Sequence, residues 1–348
     1  MGRTTRRRGG SRYRRSWRGR RNQRGVVAVI GTLLALLVFF TLFGVFLTQY
    51  LPVWMIQNES AFTAQSDFAF ASLKSAIDSQ YQFGAPPTVG VPFPLSSGSV
   101  PLLAQPTEAT LEYLPSGCAR GFAVTAAQGT PGQPVNPAAC IFANVSLSHG
   151  PGGSGPFSQR IATGVLEEVL PNRYYTPETF YLEDDAVVQS QPGGYQVMAV
   201  NSPLTITRTA TGNTTVTTSL LQLYGNASAL VGQGTQPIYS HFRYSQSIAS
   251  NGVFVPANRS YLPFVFSFEI GTQYPCAWAT FLQQTISSSG IGSRNATIAY
   301  TPSSFAPTPA NCANPAGATT IVRLTVSNVD YVQYYYAGVQ LSTGIGGT

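Results

Sequence analysis

Between Val26 and Leu47 the chain reads VVAVIGTLLALLVFFTLFGVFL, an apolar run without a charge. As a helix rising about 1.5 Å per residue it would span roughly 33 Å, enough for the hydrocarbon core of a bilayer. It has no polar face to give to water, which excludes a surface helix. Core helices of soluble proteins rarely run this long or follow such a flank: eleven arginines stand between Arg3 and Arg24. Short arginine-rich flanks stay in the cytoplasm. The sequence therefore predicts a single pass through the cell membrane, with residues 1–25 inside and the chain beyond about residue 50 outside. Tyr50 and Trp54 fall where the span should meet the outer interface, a position that suits amphipathic aromatics.

The formal net charge of +7 belongs to this leader, since the nine remaining Lys and Arg face 13 acids. An arginine cluster can neutralise phosphates, but beside a membrane span it is better explained by topology or contact with anionic lipid. Membrane lipid is thus the expected partner, and nucleic acid is not. Residues 1–25 show no apolar pattern and are expected to be unstructured in water.

Past Pro52, Phe62, Ala69, Leu73, Ala76 and Ile77 recur at helical spacing, with Asn58 and Ser60 as candidate caps. This predicts a helix over about 56–80, continuing the first across a kink at Pro52 and forming a stalk over 51–82. Residues 83–106 are rich in Gly, Pro and Ser and read as a loop. Beyond lie short apolar and β-branched runs between turn signals, at 107–114, 120–126, 140–147, 159–170, 179–190, 195–208, 214–224, 236–244, 263–271, 277–286, 295–301, 318–328 and 331–341. With no second helical pattern, the expected class is mainly β: membrane helix, helical stalk, then an all-β sandwich-type extracellular domain over 83–348, one large or two packed.

Four cysteines, Cys118, Cys140, Cys276 and Cys312, form no CxxC or CxxH pair, so zinc has no support. An even number in an exported region favours two disulfides. Nearest-neighbour pairing gives Cys118–Cys140 and Cys276–Cys312, but four cysteines allow three connectivities and the sequence does not choose. Asn-x-Ser/Thr sequons at Asn144, Asn213, Asn226, Asn258 and Asn295 are candidate glycan sites on an exported domain. Asn58 carries a sixth, too near the membrane to be favoured.

Catalytic sets are scarce. The two histidines, His149 and His241, stand far apart in sequence, and no G-x-S-x-G elbow accompanies them. The densest acidic run, Glu183-Asp184-Asp185 with Glu167-Glu168 upstream, lacks the spaced order of a calcium loop; adjacent strand residues point to opposite faces, and a solvated turn is expected. The Gly-rich run 150–156 has no Lys-Ser/Thr sequel and reads as a loop, not a phosphate cradle. No catalytic residue, metal or cofactor is assigned, and an enzyme is not expected.

The junction Arg-Arg-Asn-Gln-Arg-Gly-Val-Val-Ala-Val-Ile-Gly-Thr places a small residue, Gly25, between basic leader and apolar helix. It resembles the class III signal of archaeal type IV pilins and archaellins. That resemblance implies cleavage between Gly25 and Val26 by a prepilin peptidase and packing of the retained helix with like subunits. Ile30 then stands fifth in the mature chain, where bacterial pilins have glutamate. The stretch from Pro52 to Asp78 and the segment 164–199 are similar to a group of uncharacterised archaeal pilin-like surface proteins. There an Asn-Arg-Tyr-Tyr element precedes Tyr-x-Glu-x-Gly-Ala-Val-x-x-Ser-Gln; here Asp185 occupies the Gly position. The resemblance implies a structural or adhesive surface protein. The competing expectation is a permanent single-pass anchor whose ectodomain binds a surface ligand or envelope component.

Overall fold

The computed structural model describes residues 16–83, 88–99, 104–115, 141–148, 157–210, 212–251, 253–255, 260–292, 294–308, 312 and 320–343. The chain divides into two compact units, Met1–Ile56 and Gln57–Thr348.

In the first unit, helix α1 (Ser16–Val45) passes into a π-helical turn (Phe46–Tyr50) and then into helix α2 (Leu51–Phe83). α1 starts inside the arginine-rich leader, part of which is therefore helical and not unstructured. From Val27 to Phe43 every side chain is exposed, Leu33 at 62% and Phe40 at 58% among them. This helix is long and apolar enough to cross a membrane. The irregularity expected at Pro52 lies just before it, in the π turn. Pro52 itself sits in the first turn of α2, where its missing N–H and its ring are tolerated.

The second unit holds the rest of α2 and eighteen strands among the described residues. First come β1 (Val89–Pro94), β2 (Thr110–Leu114), β3 (Phe142–Ser148), β4 (Phe157–Ala162), β5 (Val165–Leu170) and β6 (Glu178–Glu183). Next are β7 (Ala186–Gln191), β8 (Tyr195–Val200), β9 (Thr205–Arg208), β10 (Thr214–Tyr224), β11 (Ser228–Val231) and β12 (Thr235–Asn251). The last are β13 (Val253–Val255), β14 (Ser260–Leu262), β15 (Phe264–Thr272), helix α3 (Pro275–Ser288), β16 (Ala296–Thr301), β17 (Thr320–Val329) and β18 (Tyr331–Thr343). They form sheets ordered β1-β12-β18-β10-β9, β11-β2-β5-β6-β7-β8 and β16-β17-β15-β3-β4, plus the hairpin β13–β14.

The sheet containing β10 and β18 feeds two cores, one from each face. Val216 and Leu220 of β10, with Val332 and Tyr334 of β18, pack with Phe266, Phe268, Val322 and Leu324 of the β15–β17 sheet and with Trp278 and Leu282 of α3. One residue out of phase, Leu221 and Leu223 with Ala337, Val339 and Leu341 join Leu166, Phe180 and Leu182 of the β5–β6 sheet and Phe62, Phe70, Leu73 and Ile77 of α2. The period-two alternation of strand side chains produces this two-faced burial. The apolar stripe of α2 from Phe62 to Ile77 is thus buried within the β unit.

Several sequence expectations need correction, among them the runs 179–190 and 195–208, each of which is two strands. Residues 277–286 are helical, not a strand: Pro275 pre-sets the first turn, and Trp278, Phe281, Leu282 and Ile286 follow at helical spacing. A short apolar run does not by itself distinguish the two conformations. The loop expected over 83–106 contains β1, which among the described residues is an edge strand paired only with β12 and so tolerates Pro92 and Pro94. The run 159–170 is two strands in different sheets. They part at Gly164, where a Cβ would meet the Leu223 Cβ at 2.6 Å and its carbonyl oxygen at 2.8 Å. The strand expected at 120–126 lies outside the described residues.

Candidate functional site

The second unit's unusual chemistry lies where residues 57–83 of α2 meet the sheets. The helix buries polar and charged groups in register with its apolar stripe: Glu59, Ser66 and Lys74 are as enclosed as Phe62 and Phe70. Glu59 and Lys74 meet partners from the β unit, and Ser66 lies beside Glu168 of β5.

Glu59 fits the Asn172-Arg-Tyr-Tyr175 turn. Its carboxylate accepts the backbone N–H of Arg173 at 3.1 Å, Tyr174 at 2.7 Å and Tyr175 at 2.6 Å, and the Thr107 hydroxyl at 2.5 Å. Asn172 ties the same turn, its Nδ2 donating to the Thr63 hydroxyl at 3.1 Å and to the Thr176 carbonyl at 2.9 Å. Burial alone would raise the Glu59 carboxyl, but Thr107 and the three N–H donors outweigh it and hold the group below its ordinary value.

The acidic run was expected to be a solvated turn, yet Glu183, Asp184 and Asp185 are 0%, 1% and 0% exposed. Asp184 and Asp185 have φ of 40° and 60° in the two-residue turn of the β6–β7 hairpin, so this turn takes the left-handed conformation that glycine favours. It is tucked inward, and its three carboxylates reach α3, β15, β10 and α2 between them. Glu183 Oε1 accepts the Trp278 indole N–H of α3 at 2.5 Å and the Thr272 hydroxyl of β15 at 2.6 Å. Asp184 accepts the Leu221 N–H of β10 at 3.2 Å. Asp185 accepts the Ser219 hydroxyl at 3.1 Å and faces Lys74, 3.3 Å away. Burial pushes Glu183 up to about 7, opposed by Thr272 and Trp278, and raises Asp184 and Asp185 as well. Glu168 of β5 is buried with no hydrogen bond at either oxygen; desolvation, opposed by the nearby Ser66 hydroxyl, pushes it up to about 8.

The residues singled out from sequence are dispersed. Cys276 and Cys312 form a disulfide with Cα atoms 5.9 Å apart; Cys118 and Cys140 lie outside the described residues. Asn144 is half-buried in β3, donating to Glu269 at 3.2 Å. Asn213 and Asn226 are exposed in turns flanking β10, and Asn295 is half-buried before β16; Asn258 lies outside the described residues. Gly25 and Val26 fall within α1. His241 meets the hydroxyls of Thr88 at 2.8 Å and Ser342 at 3.4 Å, while His149 lies outside the described residues. Among the described residues, no three His, Cys, Asp or Glu side chains are grouped so as to hold a metal ion.

Sequence reading missed the buried polar contacts of α2. Their one signal was the helical spacing of Glu59, Ser66 and Lys74 alongside Phe62, Phe70 and Leu73. Compared with known protein families, curated proteins and solved structures, the chain matches none.

Proposed function

We propose that this chain is a structural or adhesive cell-surface protein of the archaeal type IV pilin-like class, with its N-terminal helix in a membrane or a filament core. The observation that carries the reading is the contrast within the chain's long N-terminal helix. From Val27 to Phe43 the helix exposes apolar side chains all round, whereas from Glu59 to Gln80 it is bound into a β unit by both apolar and charged contacts. A surface this apolar needs lipid or another copy of the same helix. The β unit, with sheets facing across two cores, supports the sandwich-type ectodomain, and exposed Asn213 and Asn226 are its best-presented glycan acceptors.

In this reading a prepilin peptidase removes residues 1–25 and frees the helix from its arginines. A permanent anchor whose ectodomain binds a surface ligand is the second reading, favoured by one observation: α1 runs unbroken from Ser16 through Gly25 and Val26. The N-terminal residue and intact mass of protein from its native membrane separate them. A chain beginning at Val26 is the expected result; a chain retaining Arg3 to Arg24 refutes the pilin reading and leaves the anchored ectodomain.

A further inference from the structure

Lys74 is the least ordinary of the buried charges on α2. Its side chain is 5% exposed, and its Nζ stands 2.7 Å from Asp78 Oδ2, one helical turn along, and 3.3 Å from Asp185 Oδ1 on the β6–β7 turn. Asp185 is fully buried. Its two oxygens are not equivalent. Oδ2 is approached by the hydroxyls of Ser219 at 3.1 Å and Tyr81 at 3.5 Å, whereas Oδ1 accepts no aligned hydrogen bond although Nζ is close by. Asp78 bridges the group: Oδ2 receives the amine, and Oδ1 accepts the Tyr81 hydroxyl at 3.2 Å.

We propose that Lys74 and Asp185 condense into an intramolecular amide bond that fastens α2 to the β6–β7 hairpin, with Asp78 relaying the proton. An amine and a carboxyl held in contact away from bulk solvent are placed for condensation, because proximity replaces an encounter and burial opposes the reverse hydrolysis. The step balances without a co-reactant. Nζ first passes one proton to the Asp185 carboxylate, turning the ion pair into a neutral amine and a carboxylic acid. The amine lone pair then attacks Asp185 Cγ while Asp78 takes a second proton from nitrogen. Negative charge gathers on Oδ2, where Ser219 and Tyr81 can donate to it. Asp78 hands its proton to the hydroxyl leaving from Cγ, the C–O bond breaks, and one water departs. The third proton stays on the amide nitrogen.

Burial raises the Asp185 carboxyl against the opposing pull of Lys74, which brings the neutral pair within reach. Burial would lower Lys74, but Asp185 and Asp78 more than offset it and keep the amine protonated at rest. The reacting pair is therefore a minor form, and the condensation is a slow single event that persists once complete. It does not depend on whether the leader is cut.

The test is the mass of the full chain, purified in detergent from a host that adds no glycans, with its disulfides reduced. The expected value is one water, about 18 Da, below that of the amino-acid sequence from the observed N-terminus. Digestion should yield a linked pair of peptides carrying Lys74 and Asp185. In Lys74→Arg the full mass and the separate peptides should return. Asp78→Asn should do the same while retaining the circular dichroism of the folded chain, since Asp78 is 29% exposed. A folded wild-type chain at its full sequence mass overturns the proposal. So does a lost water without a linked pair, which marks an aspartyl succinimide. A linked pair that forms undiminished in Asp78→Asn overturns the relay.

Discussion

Glu59 offers the sharpest test of how α2 is held. Its carboxylate accepts four hydrogen bonds, three of them from consecutive backbone N–H groups of residues 173–175. Hydrogen bonds to a charged group contribute about 1.5–3 kcal/mol each, and a buried donor left without a partner costs about 1–3 kcal/mol. Glu59→Ala removes the acceptor from all four donors. Because the side chains of Arg173, Tyr174 and Tyr175 are exposed, water will reach part of the vacated turn, so the loss belongs near the low end, roughly 3–5 kcal/mol. For a unit of this size, with an unfolding entropy of about 2.1 cal/mol/K per residue, that lowers Tm by about 5–8 °C. Glu59→Gln preserves shape and one acceptor oxygen, and about half of the loss is expected.

The assay is thermal unfolding of the full chain in detergent, paired with amide hydrogen exchange at residues 173–175, whose protection should fall in both variants. The pH dependence follows from the lowered Glu59 carboxyl. A carboxyl whose folded value lies below its unfolded one stabilises the fold above the ordinary value of 4.5 and loses that contribution as pH falls through the folded value. The difference between wild type and Glu59→Gln should narrow in that acidic range. A Glu59→Ala chain whose Tm falls by less than about 2 °C, with unchanged exchange at 173–175, would refute the reasoning.

Two further outcomes are expected beside those for the leader and the Lys74–Asp185 bond. Glu168 has the opposite sign: held up to about 8 by burial, it keeps a proton that the unfolded chain releases near 4.5. Stability through this group should fall as pH rises between those values, by up to about 1.4 kcal/mol per pH unit. Denaturant midpoints from pH 5 to 8 should decline less steeply in Glu168→Gln, and parallel profiles would sink the assignment. Cys276→Ser opens a loop of 36 residues and should cost roughly 4 kcal/mol by chain entropy. Calorimetry of the oxidised wild type against the variant checks this, and equal Tm values would count against a stabilising disulfide.

The all-round apolar character of residues 27–43 is legible without coordinates, because it is written in the composition of the run. The β class is legible from turn signals between β-branched runs, and Thr320–Val329 shows its alternation openly. The stripe Phe62, Ala69, Leu73 and Ile77 is equally visible, since helical spacing is a local property. The enclosure of the acidic turn is not legible in the same way, because exposure is not local. Charge at a hairpin tip normally implies solvent, and only the packing of β10, α2 and α3 around that tip encloses it.

Sequence alone therefore determined the apolar helix, its basic flank and the predominance of strands, all consequences of composition and period along the chain. Tertiary structure alone decided that Pro275–Ser288 is a helix, that Val89–Pro94 is an edge strand, and that Glu59, Lys74 and the run 183–185 are buried partners. A charged side chain becomes a buried hydrogen-bonded group only when residues far away in sequence arrive to replace its water, and local pattern carries no record of those arrivals.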